Sequence, residues 1–145
     1  MVALLDVNVL IALFDPEHIH HEAAHDWFLE SSESGWATCP LTENGLIRVL
    51  SNPRYPGRRT IINDASDRLS TFCRRSDHFF WEDSVSVRDE ARFRPQHIQG
   101  YRQLTDVYLL GLAVEHDGSV ATFDRGIPIE SVTGAESSHL RVVPH

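Results

Sequence analysis

The sequence contains no lysine, and all 13 of its Lys/Arg side chains are arginines. This absence excludes enzymes that depend on a lysine, such as P-loop NTPases, Schiff-base enzymes and Ser–Lys hydrolases. Arginine can contact phosphate groups in a bidentate manner, so a phosphate-containing substrate is not excluded. Because the net charge is −8, electrostatic attraction to the phosphate backbone cannot by itself account for binding of a nucleic acid. Either the partner is not a nucleic acid, or divalent cations offset the acidic groups.

Cysteines and long apolar segments are also scarce. The two cysteines, Cys39 and Cys73, have no CxxC spacing, which favours free thiols in a reducing, cytoplasmic setting over a disulfide scaffold. No apolar run approaches the roughly 20 residues that span a bilayer. The apolar N-terminal stretch has no basic region before it and contains Asp6, which argues against a secretory signal. We therefore expect a cytoplasmic protein without a membrane segment.

What the sequence does contain is the pattern of a single α/β domain over residues 1–145. The hydrophobic fraction of 41% suits one core. We predict strands at residues 2–5, 36–39, 79–81, 119–123 and 140–143. We predict helices at residues 7–14, 21–30, 41–50, 60–74, 85–93 and 105–116, the last with Thr105 as its N-cap. Fully apolar strands that alternate with helices favour a parallel sheet covered on both faces.

Four acidic side chains stand at equivalent places in this layout. Asp6 and Asp124 follow the first and fourth predicted strands, whereas Glu43 and Asp106 lie in the first turns of two helices. Because open parallel sheets bind ligands at the carboxyl ends of their strands, we expect these carboxylates to converge. Their repulsion would raise their pKa values unless a cation lay among them. Hard oxygen ligands favour Mg²⁺ or Mn²⁺ over zinc.

Each acid also has a structural alternative. Asp106 and Glu43 could complement the dipoles of the helices that they begin, and Asp124 could be an ordinary turn residue. Asp6 is harder to explain in this way because an unpaired acid within an apolar segment is costly to bury. Asn8 could orient Asp6 by hydrogen bonding or could cap the following helix.

These residues resemble the signature of a known family. The segment Leu4-Leu-Asp-Val-Asn-Val-Leu10 resembles the opening of PIN-domain nucleases. The later acidic positions also follow in the order and approximate spacing of that family; they are Glu43, Thr105-Asp106 and Ala121-Thr-Phe-Asp124. The resemblance extends over nearly the whole chain, with residues 60–95 contributing least.

Two further segments are similar to a subgroup of the family, the VapC toxins of bacterial type II toxin–antitoxin modules. They are Gly35-Trp-Ala-Thr-Cys-Pro-Leu-Thr-Glu43 and Arg48-Val-Leu-Ser-Asn-Pro53. The resemblance implies a three-layer α/β/α sandwich with a central five-stranded parallel sheet. It also implies Mg²⁺-dependent cleavage of RNA, a homodimer, and inhibition by a cognate VapB-type antitoxin.

The resemblance assigns a role to each acid. It makes Asp6 and Asp106 the principal metal ligands, with Glu43 and Asp124 completing the site partly through water and Thr122 supporting the pocket. In the expected mechanism, one or two Mg²⁺ or Mn²⁺ ions activate a water that attacks the scissile phosphate in line. This route needs no lysine and makes the local charge positive, which would allow an acidic protein to act on RNA.

Candidate RNA contacts outside the acidic site are three arginines in or beside a loop rich in proline and glycine. They are Arg54, Arg58 and Arg59, for which an ordinary solvated surface is the alternative.

Three other functions remain open. Among His18, His20, His21 and His25, the last two are one helical turn apart and could hold zinc, but no HExxH motif or third ligand follows. A phospho-accepting receiver domain of a signalling protein also has a parallel sheet and clustered acids. Such a domain requires paired acids after the first strand and a lysine after the fifth. The third alternative is a catalytically inactive PIN fold that serves as an interaction module.

Overall fold

A central sheet of five parallel strands organises the computed structural model, which describes residues 1–75 and 77–145. The strands are β1 (Ala3–Leu5), β2 (Trp36–Thr38), β3 (His78–Phe80), β4 (Ser119–Thr122) and β5 (Leu140–Val142). The α-helices of the described residues are α1 (Val7–Phe14), α2 (His21–Ser31), α3 (Pro40–Leu50), α4 (Ile62–Cys73) and α5 (Leu104–Glu115). The strand order is β3-β2-β1-β4-β5, and every neighbouring pair is parallel.

The apolar strands bury side chains on both faces of this sheet. In β1, Ala3 and Leu5 belong to a hydrophobic cluster that contains residues of α1, α2, α3 and α4. Leu4 belongs to a second cluster, to which α5 contributes most of the helical residues. Because successive side chains of a strand point to opposite faces, a continuous apolar run is what a sheet covered on both sides requires. The predicted three-layer α/β/α sandwich is confirmed.

The first strand, β1, lies in the middle of the sheet, and this position determines where the candidate site lies. After β1, the chain forms β2 and β3 on one side of β1 and then returns to form β4 and β5 on its other side. The carboxyl ends of β1 and β4, which pair in register, therefore lie where the strand order reverses. Crevices at such reversal points are frequent ligand sites in open α/β sheets. Asp6 follows one of these strands and Asp124 follows the other.

The predicted helix at residues 85–93 is wrong. The structure describes all of these residues, and they form a series of turns that ends in an isolated bridge between Phe93 and Val132. The side chains of Ser86 and Asp89 accept hydrogen bonds from backbone N–H groups two residues later, which competes with helix formation. Phe93 is buried against Gly111 of α5, where an added Cβ would lie only 2.2 Å from the Phe93 ring. A contact between distant segments therefore overrides the local periodicity.

The predicted cap of the last helix is also wrong. α5 begins at Leu104 with Gln103 as its N-cap residue, so Thr105 is the second residue of the helix and is exposed. The physical reason is the short 3₁₀ turn Tyr101–Gln103. This turn runs directly into α5 and gives the chain helical geometry before Thr105 is reached.

At the start of α1, Asp6 is the N-cap residue and Val7 begins the helix. Asn8 therefore lies within the first turn, and the alternative in which it caps the helix is wrong. Its backbone N–H lowers the pKa of Asp6 by hydrogen bonding, whereas its side chain is exposed.

The remaining helix and strand ends differ from the predicted ones by at most two residues, within the usual spread of such boundaries. Among the described residues, no helix has both the length and the apolar character needed to cross a membrane.

Candidate active site

Asp6 is held at the carboxyl end of β1 by the sheet itself. Its backbone N–H donates to the carbonyl of Ala121 in β4 (3.0 Å), which extends the pairing of the two strands to the start of α1. Only 5% of the residue is exposed. Burial raises the pKa of the Asp6 carboxyl, and a hydrogen bond from Thr122 and the backbone N–H groups at the start of α1 oppose this rise. The negative charge of Asp124 raises the pKa further.

Thr122, the last residue of β4, connects two of the predicted acids. Its hydroxyl donates a hydrogen bond to Oδ2 of Asp6 (2.9 Å) and accepts one from the backbone N–H of Asp124 (3.1 Å). The side chain is buried, so these contacts fix its orientation. Thr122 therefore orients the Asp6 carboxylate and positions the turn that carries Asp124.

Asp124 lies two residues beyond the end of β4 and is exposed. Its Oδ1 accepts a hydrogen bond from the backbone N–H of Gly126 (2.7 Å), which is the turn role considered as its structural alternative. This contact uses one oxygen of the carboxylate and leaves the other as a potential ligand. The turn role and a role in the site are therefore compatible.

Asp106 lies half-buried in the first turn of α5. Burial, together with the negative charges of Asp6 and Asp124, raises its pKa to about 7. Like charges raise a pKa in this way only when they are close. Thr122 links Asp6 to the backbone of Asp124, and the charges of both acids act on Asp106. We call these three residues the aspartate cluster (Asp6, Asp106 and Asp124).

The donor set of the aspartate cluster fits a hard divalent cation. The ion pairs found in the described residues join Arg92 to Asp89 and to Glu115, so no arginine among them neutralises the cluster. Carboxylates that lie near one another without a counter-charge are unfavourable unless a cation binds or protons are taken up. All available donors are carboxylate oxygens, which suit Mg²⁺ or Mn²⁺.

Glu43, the fourth predicted acid, is directed toward other partners. Its Oε2 accepts a hydrogen bond from the Thr38 hydroxyl in β2 (2.6 Å), and the same hydroxyl oxygen is hydrogen-bonded to Nε2 of His78 (2.8 Å). Glu43 is not among the main charges that raise the pKa values of Asp6 and Asp106. The structure places its carboxylate beside β2 and β3, whereas the aspartate cluster lies beside β1 and β4.

Two residues next to Glu43 were not identified from the sequence. Cys73 ends α4 and His78 begins β3, and one ligand atom from each lies within 4.8 Å of the others and of a Glu43 oxygen. In the described part of the chain this is the one group of three potential ligands so closely spaced, so the oxygens of the aspartate cluster are farther apart. Cys73 and His78 belong to no motif, and only the fold brings them to Glu43.

The three predicted RNA-binding arginines do not lie in the aspartate cluster. Arg58 and Arg59 line a cavity of about 460 Å³ together with residues of α1 and α4, among them Phe14 and Arg68, and none of the four predicted acids contributes to its lining. Arg54 is exposed. These side chains are available on the surface, and their position alone gives them no role.

The histidines of residues 18–25 pack against their surroundings. Nδ1 of His21 is hydrogen-bonded to the carbonyl of Ala12 (2.7 Å), and the ring centroid of His25 is 5.9 Å from that of His21. His20 contacts the rings of Phe123 and His145. Within the described residues, these histidines form no group of three metal ligands, and the zinc alternative at this place receives no support.

Comparison with known proteins agrees with this fold and layout. Residues 3–131 match the PIN domain family. Ribonuclease VapC44 of Mycobacterium tuberculosis is 44% identical over 140 residues, which cover 97% of this chain and 98% of the relative. Ribonuclease VapC29 of the same organism is 42% identical over 127 residues, or 88% and 89% of the two chains.

A structural comparison extends the likeness to a solved protein. The crystal structure of Mycobacterium tuberculosis VapC20, a sarcin–ricin loop cleaving toxin, superposes with a TM-score of 0.63 over 96% of this chain and 98% of the other. The sequence identity of that pair is 12%, so it is a likeness of fold alone. On the family match and the two ribonuclease relatives together, the chain belongs to the PIN-domain family and, within it, to the VapC group.

Proposed function

We propose that this protein is a Mg²⁺-dependent ribonuclease that acts as the toxin of a VapBC-type module. The proposal rests on the aspartate cluster, a set of three carboxylates near the reversal point of the sheet that no arginine of the described residues neutralises. The names of the relatives, which are ribonucleases, supply the substrate class. Membership of the PIN family also removes the receiver-domain alternative, whose required lysine is absent from the chain.

A bound Mg²⁺ or Mn²⁺ would supply Lewis acidity toward the scissile phosphate and would lower the pKa of a water nucleophile. The chain's contribution is to hold carboxylates in place for it. Thr122 orients the Asp6 carboxylate, and the turn closed by Gly126 orients Asp124. Asp106, with its pKa of about 7, would lose its proton when the ion binds.

Glu43 completes the acidic site in this proposal by acting through water, after its side chain turns away from Thr38. Asn8 and Thr105 would contribute at the rim of the site, since both side chains are exposed near the metal-binding acids. Arg54, Arg58 and Arg59 are proposed to contact RNA outside the site. The proposal further includes a homodimer in the cytoplasm and a cognate VapB-type antitoxin, since the relatives are VapC proteins.

The proposal is tested by incubating total RNA with the purified protein in Mg²⁺, in Mn²⁺ and in EDTA, and by mapping the new RNA ends. We expect cleavage at discrete positions with either metal and none in EDTA. Cleavage that persists in EDTA would overturn the metal dependence. Intact RNA under all three conditions would overturn the ribonuclease assignment.

Mg²⁺ should also stabilise the fold, because it relieves repulsion within the aspartate cluster. At ten times its dissociation constant, a ligand that binds only the native state contributes about 1.4 kcal/mol, which raises the Tm of a domain of this size by about 4 °C. Thermal unfolding with and without Mg²⁺, at matched ionic strength set with NaCl, measures the shift. An unchanged Tm at millimolar Mg²⁺ would argue against the site.

A further inference from the structure

We propose that Glu43, Cys73 and His78 form a second metal site, selective for Zn²⁺, beside β2 and β3. We call this group the mixed cluster. It uses sulfur, nitrogen and oxygen donors, unlike the all-oxygen aspartate cluster. Glu43 is the one residue that it shares with the proposed active site, so Zn²⁺ bound here would keep Glu43 out of that site.

The geometry of the mixed cluster is close to that of a zinc site. The three donor atoms lie within 4.8 Å of one another. Donors that surround a tetrahedral Zn²⁺ at the usual bond lengths are about 3.3–3.8 Å apart. Movements of roughly an ångström by each donor would therefore bring the three to the spacing of a zinc site.

The donors are also held in place by their neighbours. The Trp36 ring lies against His78, with the ring centroids 4.4 Å apart. The Thr38 hydroxyl donates to Glu43 and is hydrogen-bonded to Nε2 of His78, so it holds these two side chains next to each other. Such outer contacts are typical of protein metal sites, where they fix the orientation of the ligands.

The chemistry of the donors selects the ion. Thiolate and imidazole are preferred ligands of Zn²⁺, whereas Mg²⁺ prefers oxygen. On binding, the Cys73 thiol releases its proton to solvent, and the thiolate and the Glu43 carboxylate together neutralise the two positive charges of the ion. Glu43, Cys73 and His78 are all half-buried, so the site is open to solvent and a water can occupy the fourth position.

Cobalt provides a direct readout of this site, because a Co²⁺–thiolate bond gives a charge-transfer absorption band that carboxylate ligands do not give. The chelator-treated full chain is titrated with Co²⁺ and then with Zn²⁺. We expect the thiolate band to saturate at one Co²⁺ per chain and to disappear when Zn²⁺ displaces it. No cleavage is measured, so the result is independent of the proposed ribonuclease function.

Matched variants assign the ligands. Cys73→Ser should abolish the thiolate band and weaken Zn²⁺ binding by at least about tenfold, and His78→Gln should weaken Zn²⁺ binding to a similar extent. Cys39→Ser, at the buried second cysteine, and Asp106→Asn in the aspartate cluster should leave the band unchanged. Circular dichroism of each metal-free variant checks that the fold is retained.

Two results would overturn the proposal. One is a wild-type chain that binds Co²⁺ without a thiolate band, which would place the metal on carboxylates alone. The other is a band that survives Cys73→Ser and is lost in Cys39→Ser. Failure of either kind leaves the proposed ribonuclease site untouched, because that site rests on the aspartate cluster.

Discussion

The aspartate cluster and the mixed cluster are two groups of potential ligands on one sheet, and they differ in how their charges are satisfied. In the aspartate cluster, burial and mutual repulsion raise the pKa values of Asp6 and Asp106, and the main stabilising contact is the hydrogen bond from Thr122. In the mixed cluster, Glu43 carries the single carboxylate and already accepts a hydrogen bond from Thr38.

This difference shows how one fold can prepare two kinds of metal chemistry. Repelling carboxylates that stay apart without an ion can be drawn together by a hard dication, which is what a Mg²⁺ site requires. A neutral thiol and an imidazole beside one acid can remain close without any ion, and they become a zinc site when the thiol gives up its proton. Variants that change one cluster and leave the other intact test this view.

The largest effect is expected for Asp6→Asn. The substitution removes a buried ligand charge at the centre of the aspartate cluster, so RNA cleavage should fall by about 100-fold or more. The fold should remain, because Thr122 can still donate to the amide oxygen and a buried charge is lost. Cleavage of labelled RNA in Mg²⁺, with circular dichroism on the same samples, measures both outcomes.

Asp26→Asn is the matched control for this variant, since it makes the same chemical change at an exposed position of α2. It should cleave within about twofold of the wild-type rate, as surface substitutions away from a site have little effect. If Asp6→Asn retained Mg²⁺-dependent cleavage at the control rate, the aspartate cluster would not be the active site.

The next effect concerns the pH dependence of stability through Asp106. Its pKa in the folded protein is about 7, against an ordinary value of 3.8, so between these values the folded state binds a proton that the unfolded state has lost. The free energy of unfolding therefore falls as the pH rises through this range. Without metal, Asp106→Asn should be more stable than the wild type by about 2 kcal/mol at pH 8, allowing for solvent screening of the half-buried carboxyl, and no more stable at pH 4.

Urea unfolding in EDTA at pH 4 and at pH 8 measures this difference. The comparison of two pH values serves as its own control, since a packing effect of the substitution would be the same at both. Equal differences at pH 4 and pH 8 would mean that Asp106 is not subject to the repulsion that defines the aspartate cluster.

The positions of these acids along the chain could be predicted from the sequence, because they follow from strand ends. The apolar segments before Asp6 and Asp124 and the start of α5 near Asp106 are local features, and a parallel sheet brings such ends to one edge. The same reasoning predicted the five parallel strands, since short, continuous apolar runs are likewise local features of the sequence.

The direction of each side chain could not be predicted. Glu43 turns toward Thr38 and His78, and its partner strand β3 is contributed by a segment far away in sequence. The failure at residues 85–93 has the same origin, since the burial of Phe93 depends on the missing side chain of Gly111. Sequence patterns report the local period and the strand ends, whereas contacts between distant segments decide which neighbour a side chain meets.

The smallest effect that separates the two clusters is expected for Thr122→Val. The substitution keeps the shape of the side chain but removes the hydrogen bonds that the hydroxyl makes with Asp6 and with the backbone of Asp124. Loss of the contact to Asp6 raises the pKa of its carboxyl further, so a metal ion competes less well with a proton for this carboxylate. Mg²⁺ affinity, measured from the rise in Tm, should fall by about tenfold, the effect typical of outer contacts in metal sites.

Thr133→Val is the matched control, because Thr133 is exposed and the substitution is the same. It should leave Mg²⁺ affinity unchanged. Zn²⁺ affinity should also be unchanged in Thr122→Val, since the hydroxyl that supports the mixed cluster is that of Thr38. If Thr122→Val weakened Zn²⁺ and Mg²⁺ binding equally, the two clusters would act as one coupled site, because a change confined to β4 could then reach donors that lie beside β2 and β3.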